Sequence, residues 1–206
     1  MTAEPVMEPV MAVENPIDML IEVEGVSEEA TRPEYLEGMV IVPPQPDYQH
    51  NDVVLGLVFQ LRESGYRHSG FGNGFQATTE GSVTQSLVVP DFFVLHRRPS
   101  EVDEAYRKAN RGWYSADLLA LVGEVTSSNH EMDSGPKYRA YAAAGVPVCV
   151  LIHRQEGKAY AFSDPVSHEG DDGDAHYKTT TKVKLGDPLP LPSPYPALDT
   201  SALLRG

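Results

Sequence analysis

Leu87-Val88-Val89-Pro90-Asp91-Phe92-Phe93-Val94-Leu95 and Leu118-Leu119-Ala120-Leu121-Val122-Gly123-Glu124-Val125 decide the fold. Both runs are short and rich in Val, Leu and Phe. Their apolar residues do not alternate with polar ones, which predicts central strands buried on both faces. Each run carries one carboxylate near an end, Asp91 and Glu124. A lone carboxylate in such a setting is costly, because burial disfavours its charged form. Buried acids are therefore paired, hydrogen-bonded or bound to a cation. Two of them converging on one cavity suit a hard divalent ion such as Mg²⁺ or Mn²⁺, whereas strand-end acids that merely cap a loop are the plain alternative.

The flanking sequence supplies helices and further strands. Asn15 with Pro16 predicts a capped, short acidic helix running towards Glu24. Glu34 to Val42 reads as two strands turning at Glu37-Gly38 and ended by Pro43-Pro44. Asp47 caps a helix with Val53, Val54, Leu57, Val58 and Leu61 on one face, closed by Gly65. A Gly-rich strand region follows from Tyr66 to Thr79. A short helix lies between Pro136 and Ala144, with Asp133 or Ser134 as its cap and Gly145 as its terminator. Val146 to His153 is another buried strand, and Lys158–Phe162 and Tyr177–Leu185 are later ones joined by an acidic loop. This order predicts an α/β or α+β domain with a mixed central sheet flanked by helices.

At 206 residues the chain is long enough for one sizeable core. Its single cysteine, Cys149, has only apolar neighbours, which marks a small buried hydrophobe in a reducing compartment. No run approaches the roughly 20 apolar residues of a membrane helix, and the acidic start is unlike a secretory or transit signal. The expectation is a cytoplasmic protein with no membrane partner. The net charge of −14 is unevenly spread. Residues 1–33 hold eight acids against Arg32 alone, while Arg97, Arg98, Arg107, Lys108 and Arg111, and then Lys137, Arg139, Arg154 and Lys158, form two basic groups. Local basic surface attracts phosphates even on an acidic protein; scattered, solvated charges are the competing reading. Three segments follow: an acidic leader with a short helix (1–33), a main domain (34–187) and a proline-rich tail (188–206) expected to lie extended.

The ordered set Pro90-Asp91, Glu124-Val125-Thr126-Ser127, Asp133, Lys137, Tyr141 and Gly145-Val146-Pro147 resembles the restriction endonucleases of the Uma-two type, bacterial members of the PD-(D/E)xK nuclease superfamily. Glu34-Tyr35-Leu36-Glu37-Gly38, Val42-Pro43-Pro44 and His50 are similar to that family's entry hairpin and first helix. The resemblance runs from about Glu34 to Phe162. It implies a restriction-endonuclease-like core and a Mg²⁺- or Mn²⁺-dependent endonuclease hydrolysing DNA, often as a homodimer. Asp91, Glu124 and the backbone carbonyl of Val125 would hold the metal, and Lys137 would orient or activate the attacking water. The lysine expected two residues after the glutamate is absent, and Thr126 stands there. Lys137 and Tyr141, four apart, share a helical face instead.

Secondary candidates are Glu34 as a further acid and His50 as a phosphate or metal contact. An ordinary hairpin charge and a helix-cap histidine are their bland readings. Asp133 is expected to cap its helix, and Glu169, Asp171, Asp172 and Asp174 lack the ligand order of an EF-hand. Gly70-Phe71-Gly72-Asn73-Gly74 has no Lys-Ser/Thr ending and no following helix, so no nucleotide cofactor is implied. Two other readings compete with the enzyme: a catalytically silent nuclease-like module binding nucleic acid or protein, and a structural domain using residues 1–33 as a contact arm.

Overall fold

The computed structural model describes residues 15–27, 31–79, 82–126, 133–167 and 174–204. Expectations for the first fourteen residues, Ser127, the Ser134 side chain and Glu169, Asp171 and Asp172 lie outside them. Helix α1 (Pro16–Val26) starts as its sequence dictates, with Asn15 Oδ1 accepting from Ile17 N at 3.0 Å. Strands β1 (Glu34–Leu36) and β2 (Met39–Ile41) form the expected hairpin, with Glu37 and Gly38 both at positive φ in the turn. Helix α2 (Tyr48–Glu63) is capped by Asp47, whose carboxylate accepts from His50 N at 2.6 Å. It buries His50, Val54, Leu57, Val58 and Leu61.

The first apolar run is not one strand. Strands β3 (Ser69–Gly70), β4 (Phe75–Thr78) and β5 (Thr84–Val88) come before a break at Val89-Pro90-Asp91, and β6 (Phe92–Leu95) follows it in a different sheet. Pro90 has no N–H to offer a ladder, so the chain leaves one sheet and enters the other there. The helix α3 (Glu101–Ala109), not foreseen, is closed by a reciprocal capping box between Ser100 and Asp103. Val102, Ala105, Tyr106 and Ala109 recur at helical spacing along it, although none of its residues is fully buried.

After β7 (Tyr114–Ser115) and β8 (Leu119–Val125), a π-helical turn at Asp133–Lys137 leads into α4 (Tyr138–Ala143). Strands β9 (Val148–His153), β10 (Lys158–Val166) and β11 (His176–Lys184) complete the order. The strands form two mixed sheets, β2-β1-β5-β4-β7 and β11-β10-β9-β8-β6-β3, the larger of which is the mixed central sheet that the sequence predicts. Each contains one parallel pair, β4–β7 and β8–β9.

The larger sheet is the middle layer. On one face α2 packs Val54, Leu57 and Leu61 against Phe92, Leu121, Val125 and Ile152. On the other, Val122, Phe93 and Cys149 meet α4 through Tyr141 and Ala142, and the smaller sheet through Leu36, Phe75 and Val88. Gly123 is required on β8, because a Cβ there would come within 2.0 Å of the Phe92 ring. The proline-rich segment does not lie extended away from the domain. Leu189 and Leu198 bridge antiparallel and are fully buried in the α2-side core, since apolar side chains between prolines gain by burial. The outcome is a mixed α+β fold, and no helix of the described residues is long and apolar enough to cross a membrane.

Candidate functional site

Strand register brings the two carboxylates together. β6 and β8 are antiparallel with Phe92 opposite Gly123, so Asp91 at the start of one and Glu124 at the end of the other become neighbours. Asp91 Oδ2 accepts from Val125 N at 2.7 Å and lies 3.0 Å from His50 Nε2 on the first turn of α2. Glu124 projects to the opposite face, towards α4. It is 1% exposed, its Oε1 accepts from Tyr141 Oη, and its Oε2 lies 3.2 Å from Lys137 Nζ.

The break at Pro90 builds the rest. Crossing between sheets frees the backbone of Val89, and two side chains take it up. Glu34 Oε1 accepts from Val89 N at 2.5 Å, and Lys137 Nζ donates to Val89 O at 3.4 Å. The same ammonium lies 3.1 Å from Glu34 Oε2 and 3.9 Å from Asp133 Oδ1. Glu34 is therefore a member of the acidic cluster rather than a hairpin surface charge. His50 faces Asp91 rather than simply ending a helix. Asp133, expected as a helix cap, sits inside the π-helical turn with its carboxylate turned to Lys137. Tyr141, quoted within the family resemblance and for its spacing from Lys137, anchors Glu124.

Glu34, His50, Asp91, Asp133 and Lys137 line a cleft of about 480 Å³ between the β2–α2 segment and the β3–β4 loop, while Glu124 and Tyr141 are buried behind them. Its electrostatics follow from four acids sharing Lys137 and His50. Burial alone would lower the Lys137 pKa, but Glu124, Glu34, Asp91 and Asp133 outweigh it, and the ammonium is held charged well above its usual range. Burial pushes Glu124 well up, and Glu34 also rises, each only partly offset by Lys137. Burial also lifts Asp133, to about 7. Asp91 goes the other way, since His50 and Lys137 together overcome its burial. Burial pulls on His50 too, and Asp91 more than compensates, leaving the ring above its ordinary value.

The family model described as Uma2, "Putative restriction endonuclease", matches residues 16–202. The chain belongs to that family. A solved structure from Anabaena variabilis ATCC 29413, described as a putative nuclease belonging to DUF820, aligns with a TM-score of 0.57. The alignment covers 90% of this chain and 98% of that one at 18% identity, a likeness of fold. No curated protein matches the chain. The Uma2 match reaches beyond the Glu34–Phe162 stretch on which the resemblance was first read. It takes in α1 and the buried Leu189 and Leu198.

The acids of this cluster offer carboxylate oxygens, the donor type that hard cations take. Among the described residues no three His, Cys, Asp or Glu side chains are grouped as a metal site. The point on which Glu34 and Glu124 converge is held by the Lys137 ammonium. Thr126 plays another part. Its hydroxyl accepts from Arg154 N at 3.0 Å and its N–H donates to Ile152 O, tying β8 to the end of β9. Cys149 is buried as expected, and burial drives its thiol pKa up, which leaves it unreactive.

The basic groups read from sequence are largely neutralised. Arg97 pairs with Asp103, Arg107 with Glu104, Arg111 with Asp18, Arg139 with Glu37, Arg154 with Asp47 and Lys158 with Glu156.

Asp133 gives the first testable consequence. A carboxyl raised from 3.8 to about 7 adds stability that is present below pH 3.8 and lost as pH rises through about 7, because the unfolded chain ionises first. Asp133→Asn removes that penalty. In the metal-free protein the variant should match wild type near pH 4 and exceed it above pH 7, by up to about 4 kcal/mol. Denaturant unfolding at the two pH values checks this; an equal difference at both would show that burial does not hold the Asp133 carboxyl above its ordinary range.

Proposed function

We propose that the chain is a metal-dependent endonuclease hydrolysing phosphodiester bonds of DNA. The observation that carries this reading is the cluster of Glu34, Asp91, Glu124 and Lys137, in which Glu34, Asp91 and Lys137 line a cleft and Glu124 is buried behind Lys137, in a chain of the Uma2 family. The Anabaena protein with the same fold is itself described as a putative nuclease.

Asp91, Glu124 and the backbone carbonyl of Val125 would hold Mg²⁺ or Mn²⁺. When bound, such an ion lowers the pKa of a water to make the nucleophile and neutralises charge gathering on the phosphorane. The chain's own groups do the remainder. Val125 N and His50 Nε2 both hold Asp91 Oδ2, and Tyr141 and Lys137 fix Glu124. Such outer contacts orient the ligands of a metal site and set its affinity. The Lys137 ammonium, held charged by its acid neighbours, is the positive group for the developing oxyanion.

A second reading is favoured by one observation. The ammonium stands between Glu34 and Glu124, and Thr126 replaces the lysine of the wider superfamily pattern, as in a nuclease-like module that binds nucleic acid or protein without cutting. Supercoiled plasmid incubated with wild type separates the two. Nicking in Mn²⁺ or Mg²⁺ that stops on chelation is the expected result. Intact plasmid at every metal concentration, with metal bound, would favour the silent module.

A further inference from the structure

We infer that the cleft above the acidic cluster takes one unstacked nucleotide, so that the substrate is single-stranded or locally unpaired DNA rather than closed duplex. The inference rests on the nuclease reading for its phosphate chemistry, but its own support lies in the cleft walls. Phe71 lines the cleft and is 56% exposed, an unusual position for a phenyl ring. It stands in the Gly70–Gly74 loop that fits no nucleotide-cofactor motif. That loop is held rather than loose. Gly72 adopts φ +76°, a conformation L side chains rarely adopt, and its carbonyl accepts from Arg32 Nη1 at 2.6 Å. Gly74 is pinned against Trp113, whose ring leaves no room for a Cβ.

The cleft lining also includes Pro43, Pro44 and Pro46, ring surfaces with few hydrogen-bonding groups. A phenyl ring and proline rings offer every base a face to stack on, without reading its identity. Arg32, also in the lining, supplies a guanidinium near this loop for the nucleotide's phosphate.

Two further observations weigh against closed duplex. The groups of the cluster are recessed: Glu34 and Glu124 are each 1% exposed and Lys137 6%, and the Asp91 side chain is 22% exposed. A phosphate flanked by stacked pairs must leave the helix surface to reach them, whereas an unpaired nucleotide enters readily. Duplex affinity also draws chiefly on free Lys and Arg, and the Lys and Arg that line the cleft are Arg32, which donates to Gly72 O, and Lys137, which is paired with Glu34 and Glu124. Stacking in a preformed cleft is less dependent on such charges.

The test uses the full chain and a short fluorescein-labelled oligonucleotide, offered single-stranded and as a blunt duplex, with anisotropy read at low and moderate salt. The expected result is at least about tenfold tighter binding of the single strand, lost in Phe71→Ala and restored in Phe71→Trp. Phe71 is exposed, so these variants keep the fold. Equal or tighter duplex binding, no binding of either form, or single-strand binding unchanged in Phe71→Ala would each overturn the inference. Plasmid nicking scored alongside separates the two claims. Nicking without single-strand preference leaves the nuclease reading and removes this one. Phe71-dependent single-strand binding by a protein that cuts no DNA keeps the nucleotide site and removes the nuclease.

Discussion

Asp91→Ala is expected to lower metal-dependent DNA cleavage by at least about a hundredfold, the upper range of what a lost supporting contact alone costs a metal site. The substitution removes a carboxylate that two groups hold in place, Val125 N at 2.7 Å and His50 Nε2 at 3.0 Å. It leaves the Lys137 pairs with Glu34 and Glu124 untouched. Freeing one buried N–H costs about 1–3 kcal/mol, while removing one of four mutually repelling acids returns part of that. The variant should therefore remain folded, and its loss of activity should be in the chemistry. Asp91→Asn keeps an oxygen for Val125 N and should be folded and equally inactive. Gel-based initial rates beside thermal melts check both statements. Full activity in either variant would remove Asp91 from the site.

Lys137→Ala is expected to cost the fold far more than a surface lysine would. Glu34 and Glu124 would lose the cation between them while 1% exposed, and breaking a buried pair in this way costs about 3–5 kcal/mol. For a chain of this size each kcal/mol moves the melting temperature by about 2–4 °C. The sign with pH is fixed by the acids. Their folded pKa values are already raised, and without the ammonium they rise further, so the variant keeps protons that the unfolded chain has released. The deficit relative to wild type should be greatest at neutral pH and narrow as pH falls towards 4.5, where the unfolded carboxyls are protonated too. Added Mn²⁺ should recover part of the lost stability, since it neutralises the same carboxylates. Calorimetric melts across pH, with and without Mn²⁺, measure all three effects. A variant as stable as wild type at pH 7 would mean that the acids hold no buried charge there.

Much of this architecture was legible because local chemistry and tertiary structure agree. Asn15-Pro16, Asp47 and Glu37-Gly38 each carry their instruction within a few residues, and α1, α2 and the β1–β2 hairpin follow it. The break at Pro90 was not read, because Leu87–Leu95 is continuously apolar and only the missing N–H distinguishes one strand from two. Helix α3 was passed over although its signals were local: the Ser100–Asp103 box and the spacing of Val102, Ala105, Tyr106 and Ala109. Of the site, Asp91 and Glu124 were legible as acids in buried apolar runs and Lys137 came from the family resemblance, and the fold brings them into one cluster. Neither the union of Glu34 with Lys137 nor the anchoring of Glu124 by Tyr141 was legible. Both depend on the sheet switch, which places distant segments around the freed backbone of Val89.

The central claim is that Asp91 and Glu124 form a divalent-metal site. Isothermal titration with Mn²⁺ at pH 8, wild type beside Asp91→Ala, tests it most directly, since it needs no substrate and no turnover. The account predicts saturable binding by wild type and none, or much weaker binding, by the folded variant. Equal binding by both, or none by wild type, would contradict it and leave the acids as a structural cluster closed by Lys137.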